Sequence, residues 1–214
     1  MELTFSIKEL LLYLVALFSI FSPFAVIGPY TDLTKEFSSG VRNKIAFRVG
    51  FFTVINLILI AWLGDSFLKI LGISLGALRC AGGMVLIIAS LPMIRKGGSP
   101  RRKVDNDLVN QDEGWQSIIV TPIIFPITMG AGTIALVITQ ASQAVSIGDR
   151  LALNVIILIH GLVVFATYFF SVPVLKKIGT QGNDVVTRIG GIILLSLAFM
   201  IFTDGLKELL PGLG

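Results

Sequence analysis

The chain is poor in charge: Asp, Glu, Lys and Arg make up only 14% of its 214 residues, against about 25% in ordinary soluble domains. So few charges cannot cover a water-facing surface, and part of the molecule must face lipid. Cysteine occurs once, as Cys80, which excludes an intrachain disulfide and any cysteine-built metal cluster. In its apolar stretch it reads as a small packing residue. Histidine also occurs once, as His160, and one imidazole among scattered carboxylates lacks metal-ligand spacing, so no metal or other cofactor is expected. No small-residue cleavage site follows the first apolar run, so the N-terminus is not read as a cleavable signal. The net charge is +4, yet the cations gather in loops, without a basic helix or an aromatic platform. A nucleic-acid partner is not expected.

What is present is apolar sequence, 54% of the chain, with a mean hydropathy of +0.89. A helix needs ~20 mostly apolar residues to cross a bilayer. Six apolar segments, at roughly 8–33, 44–63, 67–94, 115–140, 150–175 and 185–207, predict an all-α membrane protein with six transmembrane helices. Short connections leave no room for a separate soluble domain. The longest connection, from Arg95 to Gly114, is basic in its first half and acidic in its second, with no periodic apolar face. It reads as a linker, 95–114, joining residues 1–94 to residues 115–214 within one transmembrane domain.

Twelve of the seventeen Lys and Arg residues fall on the linker's side of the predicted spans, in three groups: Lys35 to Arg48, Arg95 to Lys103, and Lys176 to Arg188. The positive-inside tendency makes that side cytoplasmic and places both termini outside, in a multi-pass protein of a cell inner membrane. Trp62 and Trp115 near predicted span ends agree with this.

The halves repeat one another. Leu68-Lys69-Ile70-Leu71-Gly72 recurs as Leu175-Lys176-Lys177-Ile178-Gly179, and Arg79-Cys80-Ala81-Gly82-Gly83 is echoed by Arg188-Ile189-Gly190-Gly191. With three spans per half, an odd number, the second half enters the membrane in the opposite direction. That is the inverted-repeat plan of many secondary transporters.

Each repeat opens with an interrupted segment: Ser22-Pro23-Phe24-Ala25-Val26-Ile27-Gly28-Pro29 in the first, and Thr121-Pro122 through Pro126, Thr128, Gly130, Gly132 and Thr133 in the second. Proline removes a backbone donor and glycine relaxes the backbone, so the first and fourth helices are expected to be discontinuous. Non-helical backbone at that depth survives only where protein or a wet cavity satisfies it. Free amides and carbonyls at two such breaks suit a small polar solute, with the positive amide ends facing a carboxylate. A pair of plain proline kinks is the alternative. Pro23 can match either Pro122 or Pro126. Ser19, Ser22, Thr121, Thr128 and Thr133 bring hydroxyls to these regions.

His160, near the centre of the fifth segment, is a candidate for proton coupling, or else a neutral imidazole bonded to a neighbouring helix. Asn56 and Asn154 read as interhelix hydrogen bonders. Asp32, Asp65 and Asp204 fall near span ends, and Arg79 and Arg188 read as interfacial snorkellers. Gly72-Ile73-Ser74-Leu75-Gly76 matches the esterase elbow pattern G-x-S-x-G, but it joins two helices rather than a strand and a helix. No catalytic residue and no enzymatic activity are expected. Gly72 and Gly76 instead form a G-x-x-x-G that suits helix packing within a protomer or in a homo-oligomer.

Several of these stretches resemble the MarC family, which includes the small neutral amino acid transporters called SnatA. Leu71-Gly72-Ile73-Ser74 with Leu78-Arg79 and Gly82-Gly83 looks like the family's third span. Pro126 through Gly130-Ala131-Gly132-Thr133-Ile134 is similar to its fourth, and Arg188-Ile189-Gly190-Gly191 with Phe202-Thr203-Asp204-Gly205 to its sixth. Leu33-Thr34, Arg42 and Ile45-Ala46 fit the first and second. Two departures stand out: Ser22-Pro23 where many members carry Asn-Pro, and Gly130-Ala131-Gly132 where many carry Gly-Pro-Gly. The resemblance implies six spans in an inverted repeat, with a midplane site at the broken first and fourth helices. It also implies transport of glycine, alanine and similar amino acids, with protons as the coupling ion. The residues implicated in binding are Ser22, Pro23, Phe24, Gly28, Thr121, Pro126, Thr128, Gly130, Gly132 and Thr133. An exporter of other small metabolites or drugs on the same scaffold is the alternative function.

Overall fold

The structure, a computed structural model, describes residues 4–96, 119–210 and 212. The linker beyond Lys96, and Trp115 with it, lie outside the described residues. Within them the chain forms seven α-helices and one π-helical stretch. These are α1 (Ile7–Phe21), α2 (Pro23–Thr34), α3 (Ser39–Ile70), α4 (Leu75–Lys96), the π-helical stretch Ile119–Thr128, α5 (Ala131–Ser142), α6 (Ile147–Phe169) and α7 (Ser171–Leu209). Gly179 interrupts α7 with φ 73° and ψ 172°, so α7 is two helices meeting at a turn. Gly72, within the α3–α4 connection, has φ 68°. Both turns occupy the left-handed region where a side chain is disfavoured, and they lie at matching places in the two halves.

Five stretches are long and apolar enough to cross a membrane: Ile7–Gly28, Ser39–Ile70, Leu75–Arg95, Ile147–Phe169 and Thr187–Leu209. The expected fourth span is split into the ten-residue π-helical stretch and the twelve-residue α5. Neither piece alone reaches the ~20 residues of a span. The chain is therefore an all-α, multi-pass membrane protein.

Helix starts follow local capping chemistry. Ser6 Oγ accepts from the Glu9 amide while the Glu9 carboxylate accepts from the Ser6 amide at 2.7 Å, a capping box that opens α1. Ser146 and Asp149 repeat the device at α6. Asp149 does more: it is fully buried and draws in the start of the chain, accepting the Thr4 and Phe5 amides at 2.7 and 3.1 Å.

Two antiparallel helix pairs form the body. In α3 and α6, Gly50 meets Gly161 and Phe165, while the Trp62 indole donates to Asn154 Oδ1 at 3.3 Å. In α4 and the latter part of α7, Gly76 meets Gly205, Gly83 meets Ala198 and Phe202, and Gly191 meets Met93 and Ile94. These pairings put the cation-rich ends of α3 and α4 on one side, with the end of α6. Thr4, held at the start of α6, and Leu210, one residue past the end of α7 near Gly76, share the other side.

The α4–α7 seam is a contact of backbones. A methyl group on Gly205 would stand 2.7 Å from both the Cys80 amide nitrogen and the Gly76 carbonyl oxygen. In lipid there is no hydrophobic drive to join two apolar helices, so close packing of small residues carries the association. Cys80 packs here as expected, its Sγ 3.7 Å from the Phe202 carbonyl. We expect Gly205→Ala to part the two helices and cost about 1–3 kcal/mol, read as a lower melting temperature in detergent. The G-x-x-x-G is not one packing face: Gly76 lies in the seam, whereas Gly72 is the turn and touches nothing within 4 Å.

Two further expectations need correcting. Asn56 donates within its own helix, to the Phe52 carbonyl at 2.8 Å, and not across an interface. Its amide satisfies itself locally because that face of α3, with Phe52 and Ile55, is exposed to lipid. Arg79 does not snorkel outward. Its guanidinium is held by Glu208 at 2.8 Å and by Thr139 Oγ1 at 3.2 Å, and its side chain is only 17% exposed.

Candidate functional site

The first break is a single residue. Proline disfavours the α conformation in the residue before it, and Ser22 adopts φ 47°, ψ 74°, the one non-glycine residue with positive φ among the described residues. Pro23 then starts α2 at a position where its missing amide costs nothing. At 1.5 Å per residue, α1 and α2 reach about 22 and 18 Å from Ser22, which sets the break near mid-depth of a ~30 Å hydrocarbon layer. The break does not extend to Gly28-Pro29. Both residues stay within α2, and Thr31 Oγ1 donates to the Ile27 and Gly28 carbonyls at 2.9 and 2.8 Å, tying up acceptors beside the proline.

The second break is built differently. The stretch before it follows a π pattern: the Met129 amide donates to the Ile124 carbonyl at 2.8 Å and Thr128 Oγ1 to the Ile123 carbonyl at 2.7 Å, each reaching five residues back. Gly130 is extended, at φ −89° and ψ 174°, and starts α5 without a side-chain cap. Pro122 and Pro126 lie inside the π-helical stretch. The helix ladder is interrupted after them, at Gly130. The side chains of Thr121 and Pro126 lie outside the described residues.

Tyr168 of α6 joins the two breaks. Thr128 spends its only hydroxyl proton on Ile123, so the 2.7 Å contact with Tyr168 is the tyrosine OH donating to Thr128 Oγ1. The Tyr168 ring stands edge-on to Phe21, 6.0 Å between centroids, and tilts against Tyr30 at 4.4 Å. Phe21 also meets His160 edge-on at 5.7 Å. Ser22 Oγ lies against Gly190, where a methyl group would come within 2.8 Å of it, and Gly132 is covered by the Leu86 side chain.

The junction carries polar groups that the protein leaves unpaired. His160 is wholly buried, and neither ring nitrogen has a partner among the described residues. Thr133 Oγ1, in the first turn of α5, is buried and equally unpaired. The first amides of α5 have no intrahelical acceptor by geometry, and the glycine cap supplies none. Each such group costs free energy to bury, so their convergence marks a place where something other than stability sets the residue type.

Of the expected site residues, the structure brings Ser22, Pro23, Thr128, Gly130, Gly132, Thr133 and His160 to the two breaks. Phe24 is 37% exposed on the flank of α2, and Gly28 lies more than a helical turn from Ser22. Asn154 bridges helices as expected, whereas His160 has no such bond. Ser74, of the esterase-like pattern, accepts the Ala77 amide at 3.2 Å as the cap of α4. Sequence reasoning passed over Phe21, Tyr30 and Tyr168. Tyr168 lies near a span end, where tyrosine is ordinarily an interface anchor, so no local signal singled it out.

Over residues 7–210 the chain matches the family model described as MarC family integral membrane protein. It is 28% identical over 192 residues to a UPF0056 membrane protein of Methanocaldococcus jannaschii, covering 90% of this chain and 93% of that one. To a UPF0056 membrane protein of Archaeoglobus fulgidus it is 30% identical over 200 residues, 92% of each chain. With the UPF0056 membrane protein YhcE of Escherichia coli it shares 26% over 201 residues, 94% of this chain and 93% of that one. No solved structure matches the chain.

Proposed function

Since the chain belongs to the MarC family of integral membrane proteins, we propose that it is a secondary transporter of small neutral amino acids such as glycine and alanine, coupled to protons. The observation that carries this reading is the junction itself: two helix breaks, the first near mid-depth, joined through Tyr168, with buried Thr133 and His160 beside them unpaired among the described residues. The amino ends of α2 and α5 both point into this region and present partial positive charge to a carboxylate. The carbonyl ends of α1 and the π-helical stretch meet there too, and suit an ammonium group.

We read the fold as six spans in two inverted repeats, with the π-helical stretch and α5 together as the fourth. In support, three features recur at nearly one spacing: the breaks at Ser22 and Gly130, the positive-φ turns at Gly72 and Gly179, and the glycine pairs at Gly82 and Gly190. The antiparallel pairings α3–α6 and α4–α7 join corresponding spans. In this conformation Ser22, Thr133 and His160 are all buried, so substrate reaches the breaks only when one part of the fold rocks against the other. The cation-rich side is taken as cytoplasmic, in an inner membrane.

The test is uptake of labelled glycine or alanine into proteoliposomes under an imposed proton gradient. Gradient-dependent accumulation with competition among small amino acids is expected; its absence, with transport of larger solutes instead, overturns the reading. His160→Gln is expected to abolish gradient-driven accumulation while leaving exchange of glycine across the bilayer intact. Unchanged pH dependence in that variant removes His160 from coupling.

A further inference from the structure

A second polar feature lies away from the breaks. At the end of the bundle that holds Thr4 and Leu210, α4, α5 and α7 line an open cleft of about 410 Å³, within the ~300–1,000 Å³ range of small-ligand pockets. Arg79, Thr139, Gln143, Asp204 and Lys207 supply its polar lining. Leu136 and Ile201 also line it, each one helical turn nearer the breaks. Leu136 packs against the apolar cluster that contains Ile20, Ala25 and Leu86, the residues flanking Ser22 and covering Gly132. The cleft thus adjoins the apolar cluster that packs around the breaks.

Its charges are arranged in a particular way. Arg79 is neutralised and fixed: Glu208 holds its guanidinium at 2.8 Å, Glu208 in turn accepts the Gly76 amide at 3.1 Å, and Thr139 accepts from Arg79 Nε. Asp204 and Lys207, three residues apart on one face of α7, have no side-chain partner among the described residues. After the Arg79–Glu208 pair cancels, one free anion and one free cation remain beside a rigid guanidinium. A simple anion would face Asp204 and a simple cation would face Lys207. A small zwitterion matches both.

We propose that this cleft is a second amino acid site, a vestibule at the mouth of the transport path. Lys207 and the outer face of the Arg79 guanidinium receive the α-carboxylate, and Asp204 receives the α-ammonium. This rests on the transporter reading and adds to it a staging position outside the breaks. Exposed, well-hydrated charges make such a site weak and salt-sensitive, as a site that loads and releases substrate needs to be.

The experiment is equilibrium dialysis of labelled glycine against purified full-length protein in detergent. Two sites per chain are expected, the weaker one lost above about 0.5 M salt. Asp204→Asn with Lys207→Gln, both at exposed positions, is expected to reduce the count to one without changing the melting temperature. Thr133→Val is expected to remove the other site. Acetate and methylamine, each carrying half of the zwitterion, are expected to compete at least tenfold more weakly than glycine at the cleft. A single glycine site that survives Asp204→Asn with Lys207→Gln overturns the cleft and leaves the junction standing. Equal competition by acetate overturns the zwitterion assignment, and no glycine binding at all overturns the transporter reading with it.

Discussion

Thr133→Val is expected to leave the protein folded, with a melting temperature at or above that of the parent, while weakening glycine binding at the breaks by at least tenfold. The two halves of this expectation come from one fact. Thr133 Oγ1 is buried and has no partner among the described residues. An unpaired buried hydroxyl costs about 1–3 kcal/mol, and valine has nearly the same shape without that cost. If Thr133 served the fold, its loss would lower stability; if it serves a ligand, its loss lowers affinity alone. Tenfold is about 1.4 kcal/mol, within the range of one hydrogen bond to a charged carboxylate. Thermal melting and glycine binding on the same preparation decide it. A lower melting temperature with unchanged affinity assigns Thr133 to the fold and removes it from the site.

Asp149→Ala is expected to be the most destabilising substitution proposed for this chain, about 3–5 kcal/mol. Asp149 is completely buried, and its two oxygens accept four backbone amides: Thr4 and Phe5 on Oδ1, Val145 and Ser146 on Oδ2. All four donors point inward, so the group acts as an acceptor-only carboxylate. Alanine would leave four amides unsatisfied and release residues 4–5 from the start of α6. For a chain of this size that corresponds to a fall of roughly 6–20 °C in melting temperature. Asp149→Asn is expected to recover only part of the loss, because its amide group turns a donor toward amides that are themselves donors. A shift under 2 °C for the alanine variant would mean that the staple contributes little. Transport by whatever fraction remains folded is expected to be unaffected, since Asp149 lies at the start of α6, far along the helix from His160.

How much of this could be read from residues alone differs from element to element. Hydropathy placed the fifth segment at roughly 150–175, but the Ser146–Asp149 capping box that opens α6, and the capture of Thr4 and Phe5 by the same carboxylate, emerged only in the structure. The prolines marked both interrupted segments correctly, but not where each chain leaves the helix. Pro23 breaks the helix because it drives the residue before it, Ser22, out of the α conformation. Pro29 does not break α2, which continues through it to Thr34. Pro122 and Pro126 are absorbed in a π-helical stretch, and the break falls later, at an uncapped glycine. Proline announces a disturbed ladder; which carbonyls find another donor is settled by neighbours.

Arg79 and His160 show the same division in side chains. At a span end an arginine is expected to reach for water, and only the arrival of Glu208 from the end of α7 turns it inward. A lone histidine in a span is conspicuous in any sequence, but its lack of a partner, and its place against Phe21 beside the first break, are facts of packing.

By itself the sequence determined that this chain is a helical membrane protein and marked the proline-bearing segments in which its helices are interrupted. Those conclusions rest on additive, local quantities: the transfer cost of ~20-residue windows and the missing amide of proline. The tertiary structure decided the register of the breaks, their linkage through Tyr168, the orphaned Thr133 and His160, and the cleft around Asp204 and Lys207. Each of these depends on which residues far apart in the chain come within hydrogen-bonding distance, and that is a property of packing which no window of sequence contains.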